Sequence, residues 1–112
     1  MKINEETSRF GLSCLKALQL APDTLQRYGV EAQRAKCLNE MRELHDVIID
    51  ARFATTEHDD DSDERAIIDE CADVLIMAIS CASTIGAINW VEQLADRIEF
   101  KVVRTRDRMS KP

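Results

Sequence analysis

Residues that interrupt helices are scarce in this chain. Three glycines and two prolines stand among 112 residues, and aromatic residues make up 4%. Strand-rich folds draw on aromatic residues and frequent turn residues, so this composition speaks against a sandwich or barrel. Ala, Leu, Ile, Glu and Arg dominate instead, a mixture that favours helix. Cys14, Cys37, Cys71 and Cys81 form no Cys-x-x-Cys pair, and no Cys/His cluster has zinc spacing. Cys37, Cys71 and Cys81 lie in apolar helical stretches, where a reduced thiol packs as a small hydrophobe. A reducing, cytoplasmic setting without disulfides is expected. The N-terminal MKINEETSRF lacks a signal-peptide apolar region. The apolar run at 66–82 is too short and too acidic to cross a bilayer, so no membrane partner is expected. Positive charge is in deficit, with a formal net charge of −6. That argues against a nucleic-acid polymer as partner. A small anionic substrate stays open, because a bound metal inverts the local field.

What is present points to one all-α domain spanning 1–112. Hydrophobic residues make up 45% of the chain, enough for a core, and no linker composition divides it. Phe10, Cys14, Ala17 and Leu18 predict a first helix over 4–20, broken by Ala21-Pro22-Asp23. A short turn through Leu25 and Tyr28 then ends in a Gly29 cap. From Val30 to about Phe53 a long amphipathic helix is expected, with Cys37, Met41, Leu44, Ile48 and Ala51 inward. The acidic 54–61 segment reads as a solvated loop, and Ser62 as the start of a helix that stops at Gly86. Asn89 is placed to cap a fourth helix reaching Met109, with Val91, Leu94, Ile98, Val102 and Thr105 inward. Short connections predict an antiparallel helical bundle of about four helices.

The stretch AIIDECADVLIMAISCA, 66–82, sets carboxylates inside an apolar helix. Glu70 and Asp73 stand three apart, as do Glu40 and Glu43 on the preceding helix, and such residues share a helix side. Cys37, Met41, Leu44 and Ile48 flank the first pair; Ile67, Cys71, Val74 and Ala78 flank the second. Packing through those stripes turns four acids toward one cleft. Unpartnered, they would repel and resist desolvation. A hard divalent cation removes the conflict, and Mg²⁺ favours oxygen donors shared with substrate phosphates. The competing reading makes Glu40 and Glu43 ordinary surface acids paired with Lys36 or Arg42. Asp69 lies away from the stripe and reads as a surface acid. A di-iron bundle would require Glu-x-x-His, which His45, two residues after Glu43, does not supply.

With these residues in place, the sequence resembles the all-α nucleoside triphosphate pyrophosphatase superfamily, the MazG-like proteins. The family pattern is E-x-x-E, a variable gap, then E-x-x-D. Glu40/Glu43 and Glu70/Asp73 supply it, with 26 residues between Glu43 and Glu70. RYGVEAQRAKCLNEMREL at 27–44 is similar to the family's entry into its first metal helix, and DECADVLIMA at 69–78 to the second. The resemblance covers roughly 25–108. It implies hydrolysis of a nucleotide between its α- and β-phosphates to a monophosphate and pyrophosphate. Glu40, Glu43, Glu70 and Asp73 would hold Mg²⁺, or Mn²⁺ in its place. Phosphoanhydride hydrolysis mainly requires positioning and charge neutralisation, which suits such a site.

Arg97, Lys101, Arg104 and Arg108 repeat at i, i+4, i+7 and i+11 along the fourth helix. Lys101, Arg104 and Arg108, with Lys36 one turn before Glu40, are candidates for substrate phosphate. Lys101 matches the resemblance best; Arg104 stands where many relatives carry Asn. The plainer account is that basic residues near a helix C-terminus complement its dipole. Trp90 reads as packing rather than a base stacker, and His45 and His58 have no partners at metal or triad spacing. Ile68, Leu75, Ile76 and Ile79 lie outside the stripe of the third helix, so a homodimer or homotetramer is expected. Two alternatives remain beside the pyrophosphohydrolase: a related hydrolase of another pyrophosphate-linked substrate, of the phosphoribosyl-ATP type, and a non-catalytic helical oligomer.

Overall fold

A computed structural model describes residues 4–52 and 60–112, with the side chains of residues 52, 60 and 61 outside the description. The described residues form four helices: α1 (Glu5–Tyr28), α2 (Val30–Arg52), α3 (Asp60–Ser83) and α4 (Trp90–Met109). The all-α class expected from composition is the one observed. α2 packs extensively on α3, and α1 lies across α3 with a lighter contact to α2. α4 meets α3 only sparingly.

α1 opens with a side-chain cap. Asn4 Oδ1 accepts from the Thr7 backbone N–H at 2.8 Å, satisfying a donor that the first turn leaves open. Asn4→Ala should lower stability by about 1 kcal/mol, read as a fall in the thermal midpoint by circular dichroism. An unchanged midpoint would mean that this end frays without consequence.

The break expected at Ala21-Pro22-Asp23 does not occur; α1 runs through Pro22 to Tyr28. Proline removes one helical N–H and disfavours helix at the preceding residue. Here packing outweighs that local cost. Ala21 is 0% exposed, Thr24 Oγ1 donates to its carbonyl at 3.0 Å, and Gln33 Nε2 reaches the Thr24 carbonyl from α2 at 3.5 Å. Gly29 then closes α1 as expected, donating its N–H to the Leu25 carbonyl at 2.8 Å.

α3 begins at Asp60, so Ser62 lies inside it rather than capping it, and it ends at Ser83 just before the positive-φ Gly86. Of the expected acidic loop, 54–59 lies outside the described residues, as does His58. Asn89 precedes α4 without a side-chain cap; its Oδ1 instead accepts from Gln93 Nε2 at 2.8 Å.

The inward faces differ from the expected stripes. On α2, Gln33, Cys37 and Glu40 are buried and Leu44, Val47 and Ala51 half-buried. Met41 and Ile48 are 52% and 45% exposed. Cys37, Leu44 and Ala51 belong to both readings; between them the helix turns Glu40 and Val47 inward in place of Met41 and Ile48. On α3, Ile67, Glu70, Asp73, Val74 and Met77 are half-buried, while Cys71 and Ala78 are exposed. The expected inward stripe of α4 is not realised within one chain, since α4 has no buried residue.

Candidate functional site

The seam between α2 and α3 is set by a polar tie near its end. Arg34 Nε donates to Thr84 Oγ1 at 2.9 Å, and that hydroxyl donates to the Cys81 carbonyl at 2.6 Å. Nothing in the spacing of Arg34 marks it out, because its partner is 50 residues away in sequence. α2 and α3 run antiparallel, since Arg34 lies beside Thr84 at one end and Glu40 beside Glu70 and Asp73 further along. Cys37 follows one turn after Arg34, and burial pushes its thiol pKa up, with Cys81 across the seam acting in the same direction.

Beyond the cysteines the seam turns acidic. Glu40 from α2 meets Glu70 and Asp73 from α3, with one carboxylate oxygen of each lying within 4.8 Å of the others. Glu40 is 5% exposed. Its Oε1 accepts from Lys36 Nζ at 2.8 Å, an i, i+4 pair on one helix face. The Lys36 hydrogen bond is the main cause holding the Glu40 carboxyl pKa below its ordinary value, and Glu40 in turn raises that of Lys36. Glu70 moves the other way. Burial raises its pKa first, and the charges of Glu43, Asp73, Glu40 and Asp69 add to the rise.

Two carboxylate oxygens, Glu40 Oε2 and Glu70 Oε2, are buried without a hydrogen-bond partner among the described residues. A buried acceptor left unmade is costly, and two such oxygens facing one cluster of like charge form an incomplete electrostatic arrangement. A cation would complete it. Three carboxylates from two rigid helices, with no sulfur or nitrogen donor in the group, suit a hard divalent ion, so the cluster can hold a metal.

The structure sorts the residues expected at this site. Glu40, Glu70 and Asp73 come together. Glu43 is exposed at the rim and outside the group of three, yet its charge reaches Glu70. Asp69 is exposed, as expected. Lys36 stands at the cluster through Glu40. Lys101, Arg104 and Arg108 lie on α4, and among the described residues none of them forms an ion pair with the acids. Arg97 and Arg104 lie over the Phe100 ring, at 4.6 and 5.8 Å from its centroid. Arg104 Nε is buried there without a partner. Trp90 is half-buried at the start of α4, and the exposed His45 lies 3.2 Å from Asp46.

Beside Lys36 a cavity of about 420 Å³ opens among α1, α2 and α3, with Tyr28, Gln33, Met77 and Ser80 in its walls. No helix among the described residues is long and apolar enough to cross a membrane. No protein-family model, curated protein or solved structure matches the chain.

Proposed function

We propose that the chain is a Mg²⁺-dependent nucleoside triphosphate pyrophosphohydrolase of the MazG-like type. The observation that carries this reading is the trio Glu40, Glu70 and Asp73, with two buried oxygens that have no hydrogen-bond partner among the described residues. In this reading Glu40, Glu70 and Asp73 hold the ion, with Glu43 joining from the rim. Mg²⁺, or Mn²⁺ in its place, would supply neutralisation of the phosphate oxygens and an acidified water. Lys36 keeps Glu40 ionised and brings an ammonium group beside the phosphates.

The cavity next to Lys36 is the place we assign to the nucleoside. Gln33 stands seven residues before Glu40 on α2, about 10 Å along the helix axis. That separation suits a triphosphate reaching from a base to the metal. Met77 and Tyr28 offer apolar and aromatic surface there, and Gln33 and Ser80 offer hydrogen bonds.

The test is pyrophosphate release from a panel of ribo- and deoxyribonucleoside triphosphates, with and without Mg²⁺. Release that requires Mg²⁺ and yields the monophosphate is the expected result. A folded protein that releases none from any of them would sink the reading and leave a narrower pyrophosphate-linked substrate or a non-catalytic oligomer.

A further inference from the structure

We propose that Cys37 and Cys81 form a modification site: an oxidant of the peroxide class joins them in a reversible disulfide that clamps α2 to α3 beside the acid cluster.

The first support is register. Arg34 Nε on α2 meets Thr84 Oγ1 at the end of α3, at 2.9 Å. Cys37 stands three residues after Arg34, and Cys81 three residues before Thr84. In antiparallel helices those two steps run the same way along the seam, about 4.5 Å each, so the two cysteines share one level. The Thr84 hydroxyl also donates to the Cys81 carbonyl at 2.6 Å. Arg34 therefore holds the backbone of Cys81 through a single bridging hydroxyl. The trio of Glu40, Glu70 and Asp73 lies on the other side of the pair, so the seam is set both above and below it.

Contact is the second support. All four cysteines are free thiols, and those of Cys37 and Cys81 lie within hydrogen-bonding reach of each other. Packed helix axes lie about 8–10 Å apart, with Cα atoms about 2.3 Å off each axis. Residues that face each other directly can bring their Cα atoms to about 5 Å, inside the roughly 4.4–6.8 Å that a disulfide spans. The other two thiols are placed differently. Cys14 lies on α1, in the wall of the cavity between α1 and α3, and Cys71 is exposed on α3.

Access is the third support. Cys81 is half-buried, whereas Cys37 is 8% exposed. The cavity of about 420 Å³ among α1, α2 and α3 has Lys36 and Ser80 in its walls, the sequence neighbours of the two cysteines. It admits a molecule as small as hydrogen peroxide to their level of the seam.

The chemistry balances with one peroxide. The Cys81 sulfur, the more accessible one, attacks a peroxide oxygen. The O–O bond breaks, Cys81 becomes a sulfenic acid, and the hydroxide released leaves as water with the thiol's proton. The Cys37 sulfur then attacks the sulfenic sulfur. The S–O bond breaks, and its hydroxide leaves as a second water with the Cys37 proton. Two thiols have lost two electrons to the peroxide. A dithiol reductant reverses the step by exchange.

The plainer account is that both thiols are packing. Thiols that only pack react in order of exposure, Cys71 first and Cys37 last. A pair predicts instead that buried Cys37 disappears together with Cys81.

The test treats the full chain with hydrogen peroxide, alkylates the remaining thiols in denaturant, and maps all four cysteines by mass spectrometry. Alkylation of Cys37 is expected to fall at least ten-fold, with a Cys37–Cys81 linked peptide in its place and the chain still monomeric on a non-reducing gel. The double variant Cys14→Ser/Cys71→Ser, which removes the competing thiols, should form the same link. Cys37 left free while Cys81 is intact or carries a sulfinic acid overturns the proposal, as does Cys37 linked to another chain. The second readout is the thermal midpoint of the double variant. A cross-link from 37 to 81 closes a long loop, so oxidation should raise the midpoint by roughly 10 °C, and dithiothreitol should restore it. A midpoint unchanged or lowered by the link overturns the clamp. Neither readout involves nucleotide or metal, so the proposal fails or survives independently of the acid cluster's role.

Discussion

Glu70→Gln is expected to cut Mg²⁺-dependent pyrophosphate release at least ~10-fold under the proposed function, in which Glu70 would hold the ion, since losing a ligand costs no less than disturbing its supports. It should also abolish the rise in thermal midpoint that Mg²⁺ would confer by binding only the folded state. The same change should make the metal-free protein more stable near neutral pH. The reason lies in the sign of the shift. Burial and four neighbouring carboxylates raise the Glu70 pKa above its ordinary value. The folded state therefore holds that proton more tightly than the unfolded chain does. Glu70's contribution is most favourable below the ordinary glutamate value of 4.5, and declines as pH rises through its folded value. Glutamine cannot ionise, so it escapes that decline, and its amide can donate to the remaining acids.

Glu40→Gln provides the contrast. Its carboxyl is held low, chiefly by Lys36. Its contribution is present above the ordinary value and lost as pH falls through the folded one. Without metal, Glu40→Gln should therefore destabilise near neutral pH while Glu70→Gln stabilises. Thermal melts at pH 7 in chelator, set beside the activity assay, decide the matter. Equal and opposite failures, with Glu70→Gln destabilising and activity retained, would show that the cluster is ordinary packing.

The second large effect is expected at the joint between α1 and α2. Gly29 alone separates the two helices, at φ 87° and ψ 168°. That region is open essentially to glycine. A Cβ built there meets no atom within 4 Å, so the cost of a side chain comes from the backbone rather than from a clash. Gly29→Val should cost about 2–3 kcal/mol and lower the thermal midpoint by roughly 10 °C. The joint sets how α1 enters the bundle, including the reach of Gln33 to the Thr24 carbonyl. A calorimetric midpoint unchanged by the substitution would mean that the two helices accept another connection without loss.

Much of the fold is legible from residues alone. The shortage of glycine and proline, the stop at Gly29 and the turn before Gly86 mark out three of the four helices closely. The acid pairs at 40/43 and 70/73 stand out because a carboxylate inside an apolar helix demands an explanation. The sequence also placed Lys36 one turn from Glu40, where it is found. Those features are local: propensity, capping and spacing act within a few residues, so they survive in any context that keeps the helix.

Tertiary packing decided the rest. Pro22 is a helix breaker by local rules, and α1 runs through it where Ala21 is buried against the bundle and Gln33 reaches the Thr24 carbonyl from α2. On α2, successive residues are about 100° apart around the axis. A stripe read as 37-41-44-48 and one read as 37-40-44-47 therefore fit nearly the same periodicity. Contact with α3 selects the second, which moves Glu40 from beside the seam into it and leaves Glu43 at the rim. The apolar stripe of α4 is plain in the sequence, yet a stripe shows that a surface seeks cover and not which surface covers it. Burial is a property of two surfaces meeting, and a sequence read along its length describes only one of them at a time.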